Sequence, residues 1–235
     1  HIIQAIRKST DTAPGLDGIP YRAYRKLGTY AASFLLDVAE DLQDSWQGCE
    51  PNYEFNQALL VCLPKAATRT DPLFGEIHSP GKTRPLSVVN TDNRIVANAY
   101  RLMLEPIMNK WISNAQRGFL PGRSMLSNIV DVDFEAMKIS MQHEKGAIVL
   151  FDFASAFPSI SQDYLWSVLA HIGFPSDILC ALQRLYQNNT HYIRVKGNVY
   201  PSFCTSSGVR QGCPLSPVLF SIVADVLLRR LHTCL

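Results

Sequence analysis

A single aspartate sits inside the apolar run "AIVLFDFASAFPSI", residues 147–160. The run reads as a buried strand, and a carboxylate taken out of water costs several kcal/mol unless it is paired, protonated or metal-bound (roughly,). Side chains alternate across a strand. Ala147, Val149, Phe151 and Phe153 would share one face, and Ile148, Leu150 and Asp152 the other. Ala154-Ser155-Ala156 and Pro158 break the pattern, so Asp152 falls near the strand's C-terminal end. A carboxylate there is well placed to hold a hard cation such as Mg2+. A helix-capping or salt-bridged aspartate explains the residue equally well on this stretch alone.

Three further stretches can carry chemistry. In "GVRQGCPLSP" (208–217), Gly208 and Gly212 let a backbone approach a flat partner, and Gln211 offers a donor and an acceptor. The following helix start offers N–H groups to a phosphate. An ordinary strand-to-helix loop is the plainer alternative. Lys65, Arg69, Lys82 and Arg84 flank a polar loop that holds Asp71 and Glu76. Cations on such a hairpin suit a triphosphate or a nucleic-acid backbone, and they equally suit a solvated surface. "GFLPGRS" (118–124) adds Arg123 on a Gly-Pro loop.

These residues need elements to position them, and the bulk numbers allow a substantial core. The chain has 235 residues, 47% hydrophobic and 18% charged, which is a globular and not a disordered composition. A net charge of +2 is too small to establish a nucleic-acid partner. The six cysteines (Cys49, Cys62, Cys180, Cys204, Cys213 and Cys234) show neither CxxC nor Cys/His ligand spacing, so they read as free thiols. There is no apolar run long enough to span a membrane and no secretory signal. The start at His1 and the stop soon after "VLFSIVADVLLRRLHTCL" suggest a piece of a longer protein.

Helices are expected over residues 1–10, 20–46, 91–111, from Ser124 or Ser127 to about 143, from Ser159 or Ser161 to Gly173, over 176–188, and from Ser216-Pro217 onward. Pro106 should kink or end the third of these. "ALLVCLPK" (58–65) and "TRPLSVVN" (83–90) read as a long hairpin with a basic tip. "YIRVKGNVYPSF" reads as a second hairpin turning at Gly197-Asn198. The order gives a mixed α/β (α+β) fold without regular βαβ repeats.

The sequential order of these pieces resembles one family. "APGLDGIPYRAYRKLG", "LPK" with "RPLSVVNTDNRIVANAYRLMLEPIM", "QRGFLPGRSMLSNI", "VLFDFASAFPSI" and "GVRQGCPLSPVLFSIVADVLLRRL" resemble the successive motifs of reverse transcriptases of non-LTR retrotransposons, the jockey- or LINE-like elements. The resemblance runs from about residue 13 to the end. It implies a right-hand polymerase: helices around a small antiparallel sheet, a fingers-like region over 1–143 with its basic hairpin at 58–90, and a partial palm over 144–235.

The resemblance also implies roles. Asp152 matches the first catalytic aspartate, a ligand of two Mg2+ ions, and Phe153 matches a position whose backbone carbonyl reaches a metal. Phe157 matches the aromatic ring under the sugar that rejects a 2′-hydroxyl. Gln211 matches the glutamine that shapes the nucleotide pocket. Lys65 and Arg84 match contacts to the incoming triphosphate. Lys82, Arg123, Arg210 and Gly212 match contacts to nucleic acid. The implied partners are an RNA template, a DNA primer and a deoxynucleoside triphosphate. No membrane or protein partner is indicated, and a nuclear location follows from class alone.

Two departures stand out. Pro158 replaces an aspartate that commonly follows Phe157 in the motif. No Asp-Asp pair occurs in the chain, so the family's aromatic-x-Asp-Asp hairpin, with two further carboxylates for the metals, is not represented. The thumb is not represented either. The expectation is therefore a polymerase fragment, inactive as given, with a non-catalytic nucleic-acid-binding remnant as the alternative.

Overall fold

A computed structural model describes residues 1–44 and 54–234. Cys49 and the end of the helix expected over 20–46 lie outside them. The chain opens with α1 (Ile2–Arg7) and a long loop that is sewn onto a later helix. Arg94 donates to Thr12 Oγ1 at 3.0 Å and to the Ala13 carbonyl at 2.7 Å, and it stacks over the Tyr21 ring. Thr91 Oγ1 donates to the Ile19 carbonyl at 2.6 Å. A Cβ on Gly15 would stand 2.5 Å from the Asn90 Cα, so only glycine lets the loop lie this close.

Gly28, at φ 54°, splits the next expected helix into α2 (Tyr21–Leu27) and α3 (Thr29–Gln43). Ala31, Leu35, Ala39 and Leu42 form the buried stripe of α3, at the three- and four-residue spacing a helix face requires. The first expected hairpin is present as β1 (Ala58–Pro64) and β4 (Thr83–Val89), paired antiparallel from Ala58↔Val89 to Pro64↔Thr83. Between them the polar loop folds into a small hairpin of its own, β2 (Arg69–Asp71) and β3 (Gly75–Ile77).

Helix α4 (Thr91–Trp111) runs through Pro106 without ending there. Helix α5 (Met125–Gln142) starts where Ser124 accepts from the Leu126 N–H. Helix α6 (Gln162–Ile172) is capped by Ser161 and closed by Gly173 in the left-handed region. Helix α7 (Ser176–Arg184) stops four residues before the expected end. The second hairpin is β5 (Thr190–Val195) and β6 (Asn198–Cys204), and it turns at Lys196-Gly197, both at positive φ, one residue earlier than expected. Helix α8 (Ser216–Cys234) closes the chain.

The four-stranded sheet has the order β4-β1-β5-β6. Its outer pairs are antiparallel, while β1 and β5 pair parallel at Ala58↔His191 through Leu60↔Ile193. The sheet thus draws strands from both halves of the sequence. One core serves the whole body: Leu35, Ile95, Val96, Leu165, Leu169, Leu182, Leu185, Leu215, Leu219 and Ile222 are all at most 1% exposed. Two buried asparagines cross it. Asn93 Nδ2 donates to Asn56 Oδ1 at 3.0 Å, and Asn56 Nδ2 donates to the carbonyls of Arg184 and Gln187 at 2.7 Å each.

The strand expected around Asp152 is absent. Residues 147–153 run without sheet partners among the described residues, and Leu150 and Phe151 are 84% and 88% exposed. Strand hydrogen bonds are non-local, so an apolar run becomes a strand only where a neighbour aligns with it. The adjoining α5 likewise buries none of its residues.

Candidate nucleotide-binding site

The site is built around two close backbone crossings. The turn 157–158 meets the loop 208–212. Val209 N–H donates to the Phe157 carbonyl at 3.0 Å, and Gly208 N–H to the Ile160 carbonyl at 2.7 Å. Gly208 has φ +81°, and a Cβ there would stand 2.9 Å from the Pro158 Cα. The same loop then meets β4. Ser87 N–H donates to the Gln211 carbonyl at 2.9 Å. Gly212 has φ +103°, and its Cβ would stand 2.9 Å from Leu86 Cδ1 and 3.1 Å from the Ser87 carbonyl. The two glycines are needed for contact with the chain's own backbone.

This arrangement brings Phe157, Gln211, Gly212 and the strand bearing Arg84 into one neighbourhood. Arg84 pairs across the hairpin with Leu63, and Lys65 N–H donates to the Lys82 carbonyl at 2.9 Å. Lys65, Lys82 and Arg84 are exposed and make no ion pair among the described residues. Phe157 is half-buried. Its ring lies 5.1 Å from that of Phe220 on α8 and 5.9 Å from that of Phe119.

Asp152 precedes this turn and is exposed, with no hydrogen-bond or ion-pair partner among the described residues. The desolvation cost expected for a buried strand does not arise here. Among the described residues, no three His, Cys, Asp or Glu side chains come together to hold a metal ion. Asp152 and the Phe153 carbonyl alone fall short of a complete site for divalent cations, which take six or more oxygen ligands including waters.

Two expected nucleic-acid contacts are turned inward. Arg123 donates to the carbonyls of Asn109, Ile112, Ser113 and Gln116 and to Asn109 Oδ1. It caps the C-terminal end of α4, where carbonyls lack helical partners. Arg210 is 4% exposed, stacks on the Tyr186 ring and donates to the Leu185 carbonyl at 2.6 Å. Arg123 has its donors committed to the chain itself, whereas Arg210 lines a cavity beside Gln211 with its Nε and Nη1 unpartnered among the described residues. The loop between "GFLP" and α5 gives a sequence signal for the first of these roles only in hindsight: an arginine just after a helix end, on a Gly-Pro loop.

Sequence reasoning also missed His191. Its Nε2 lies 2.8 Å from Ser87 Oγ and its Nδ1 3.0 Å from Thr205 Oγ1, and its ring stacks on Phe203. Burial, and then the Arg210 charge, hold its pKa below the ordinary histidine value. It lines a cavity of about 170 Å³ with Leu60, Pro85, Pro158, Phe203 and Gln211. Asp225 was missed too. It is fully buried on α8, accepts from Ser113 N–H at 3.1 Å and pairs with Arg229 at 2.7 Å. It fastens α8 to the end of α4.

The chain belongs to the family described as Reverse transcriptase (RNA-dependent DNA polymerase), which matches residues 64–235. It is a reverse transcriptase domain of the non-LTR retrotransposon class. It is 28% identical over 232 residues to the retrovirus-related Pol polyprotein from type-2 retrotransposable element R2DM of Drosophila melanogaster, covering 97% of this chain and 20% of that protein. It is 25% identical over 219 residues to the Transposon TX1 uncharacterized 149 kDa protein of Xenopus laevis, covering 92% and 16%. A putative COX1/OXI3 intron 2 protein of Saccharomyces cerevisiae is 33% identical over 147 residues, covering 63% and 16%. The chain thus spans a fifth or less of the length of these relatives. No helix among the described residues is long and apolar enough to cross a membrane.

Proposed function

We propose that this chain is the fingers and partial palm of an RNA-directed DNA polymerase that binds an RNA template, a DNA primer and a deoxynucleoside triphosphate. The observation that carries the reading is the joint at Gln211, where the turn of Phe157, the loop 208–212 and the strand of Arg84 meet. Residues 1–143 form the fingers-like region and 144–235 the partial palm, with the β5–β6 hairpin reaching back onto the sheet of the first. By class, the site of action is the nucleus.

In this reading Lys65 and Arg84 neutralise the triphosphate, with Lys82 behind them, and the exposed hairpin lets them close on it. Gln211 bounds the nucleotide pocket, and Phe157 lies under the sugar where a 2′-hydroxyl would collide. Asp152 and the Phe153 carbonyl would contribute two of the ligands to Mg2+, and the ion would supply charge neutralisation for nucleotidyl transfer. Because the 235 residues hold no Asp-Asp pair, this chain alone binds substrates without extending primers.

The test is fluorescence anisotropy on an RNA–DNA primer–template, followed by primer extension with Mg2+. Salt-sensitive binding without extension is expected, and Lys65→Ala with Arg84→Ala should weaken nucleotide uptake. Failure to bind primer–template would overturn the reading. Binding that ignores Phe157, Arg84 and Gln211 substitutions would favour the non-catalytic remnant.

A further inference from the structure

We propose that Phe220 is a positioning residue that sets the plane of the Phe157 ring, and through it the discrimination between deoxy- and ribonucleotides. The proposal rests on the reading of Phe157 given above.

Four phenylalanines from three separate segments meet here, and Phe220 touches the other three. Its ring centroid is 5.1 Å from Phe157, 6.0 Å from Phe153 and 6.2 Å from Phe119, at interplanar angles of 41°, 82° and 89°. Tilted and edge-on geometries at these separations are the favourable ones for aromatic pairs. The partners differ sharply in how firmly they are held. Phe220 stands on α8 between Leu219 and Ile222, both fully buried, so its backbone is fixed by the core. Phe153 and Phe157 stand on a segment with no strand or helix, and Phe119 is 58% exposed on a loop at φ 62°. A positive φ is unfavourable for an aromatic residue and persists only where surroundings hold it.

The ring of Phe157 therefore has no regular secondary structure to orient it. Its carbonyl is anchored by Val209, which fixes the backbone. The side chain is fixed from below, by Phe220 first and Phe119 second. A ring that excludes a single hydroxyl must hold its plane to a fraction of an ångström, so a ring free to rotate would admit both sugars.

The first test needs no catalysis. With 3-fluorophenylalanine placed at position 157, a ring that flips slowly gives two fluorine resonances and one that flips fast gives one. The native chain should show two, Phe220→Ala one, and Phe220→Tyr two. Identical spectra in native chain and Phe220→Ala would overturn the proposal.

The second test measures dUTP and UTP binding to the chain on primer–template, a pair that differs only at the 2′-hydroxyl. Phe220→Ala should lower the dUTP preference about tenfold, equivalent to 1.4 kcal/mol, with dUTP affinity little changed. If Phe157→Ala abolishes the preference and Phe220→Ala does not, Phe220 is not the positioning residue and the reading of Phe157 stands. If Phe157→Ala itself leaves the preference intact, the reading of Phe157 falls and takes this proposal with it.

Discussion

The Ser87 N–H donates to the Gln211 carbonyl at 2.9 Å, and this one bond makes the returning strand of the basic hairpin and the glycine loop a single piece. It forms because Gly212 has no side chain to hold the strands apart. Gly212→Ala puts a Cβ against Leu86 and the Ser87 carbonyl at a φ that alanine rarely adopts. A loss of about 1–3 kcal/mol in urea unfolding is expected, together with weaker nucleotide binding. Unchanged stability would mean that the loop relaxes without cost.

Arginines in this protein divide by what their guanidinium groups touch. Arg123→Lys keeps the charge but cannot reach five acceptors, so it should cost about 2–3 kcal/mol of stability. It should leave the salt dependence of primer–template binding unchanged. Lys65→Ala with Arg84→Ala should do the reverse, leaving stability unchanged while weakening deoxynucleoside triphosphate binding. Urea unfolding and nucleotide titrations distinguish the cases.

Asp92, in the first turn of α4, titrates in an unusual range. Burial is the main cause that raises it from 3.8 to about 6, and Asp17 adds to the rise. The folded state therefore binds the proton more tightly than the unfolded chain, and stability falls as pH rises through about 4 to 6. Asp92→Asn should flatten that fall and add on the order of 1 kcal/mol at pH 7 to 8. Its amide oxygen can still accept from the Asn93 N–H, as the carboxylate does at 2.6 Å. A slope that survives the substitution would assign it to another group.

His191 carries the opposite sign. Its pKa is lowered on folding, so the unfolded chain takes up the proton first, and stability falls as pH drops below about 6.5. Protonation would also place a cation near Arg210 between Ser87 and Thr205. His191→Gln should remove the acid-side loss in melting curves between pH 7 and 5. An unaltered curve would show that the imidazole stays solvated.

The apolar side of α5 faces solvent: Leu126, Val130, Phe134 and Met137 are all at least 54% exposed. With Leu150 and Phe151 also exposed, light scattering should show concentration-dependent association. Lysine at Val130 and Met137 should suppress it. A native chain that stays monomeric at high concentration would contradict this.

Local signals in the sequence translated well into structure. Ser124 and Ser161 cap the helices they precede, Gly173 closes α6, and Pro64 ends β1, because each acts on its own few residues. Asp152 shows where such reading stops. The alternation around it describes a strand's faces, but pairing depends on a remote neighbour that no local pattern encodes. Arg123 and Arg210 show a related limit: a guanidinium looks the same in sequence whether it meets phosphate or the carbonyls of its own fold. The parallel pairing of β1 with β5 was equally invisible, since each strand reads as half of its own hairpin.

That pairing shapes how the chain comes into being. Ser87 and His191, which meet side by side, are 104 residues apart. A ribosome adding about 5–20 residues per second leaves the β1–β4 hairpin waiting for several seconds before β5 emerges. During that interval one whole flank of β1 is an unpaired edge beside a nascent apolar chain. The rate of synthesis between the two hairpins, as much as any residue within them, then decides how many molecules assemble the sheet correctly, and chaperones that shield strand edges should be found on this chain while it is still being made.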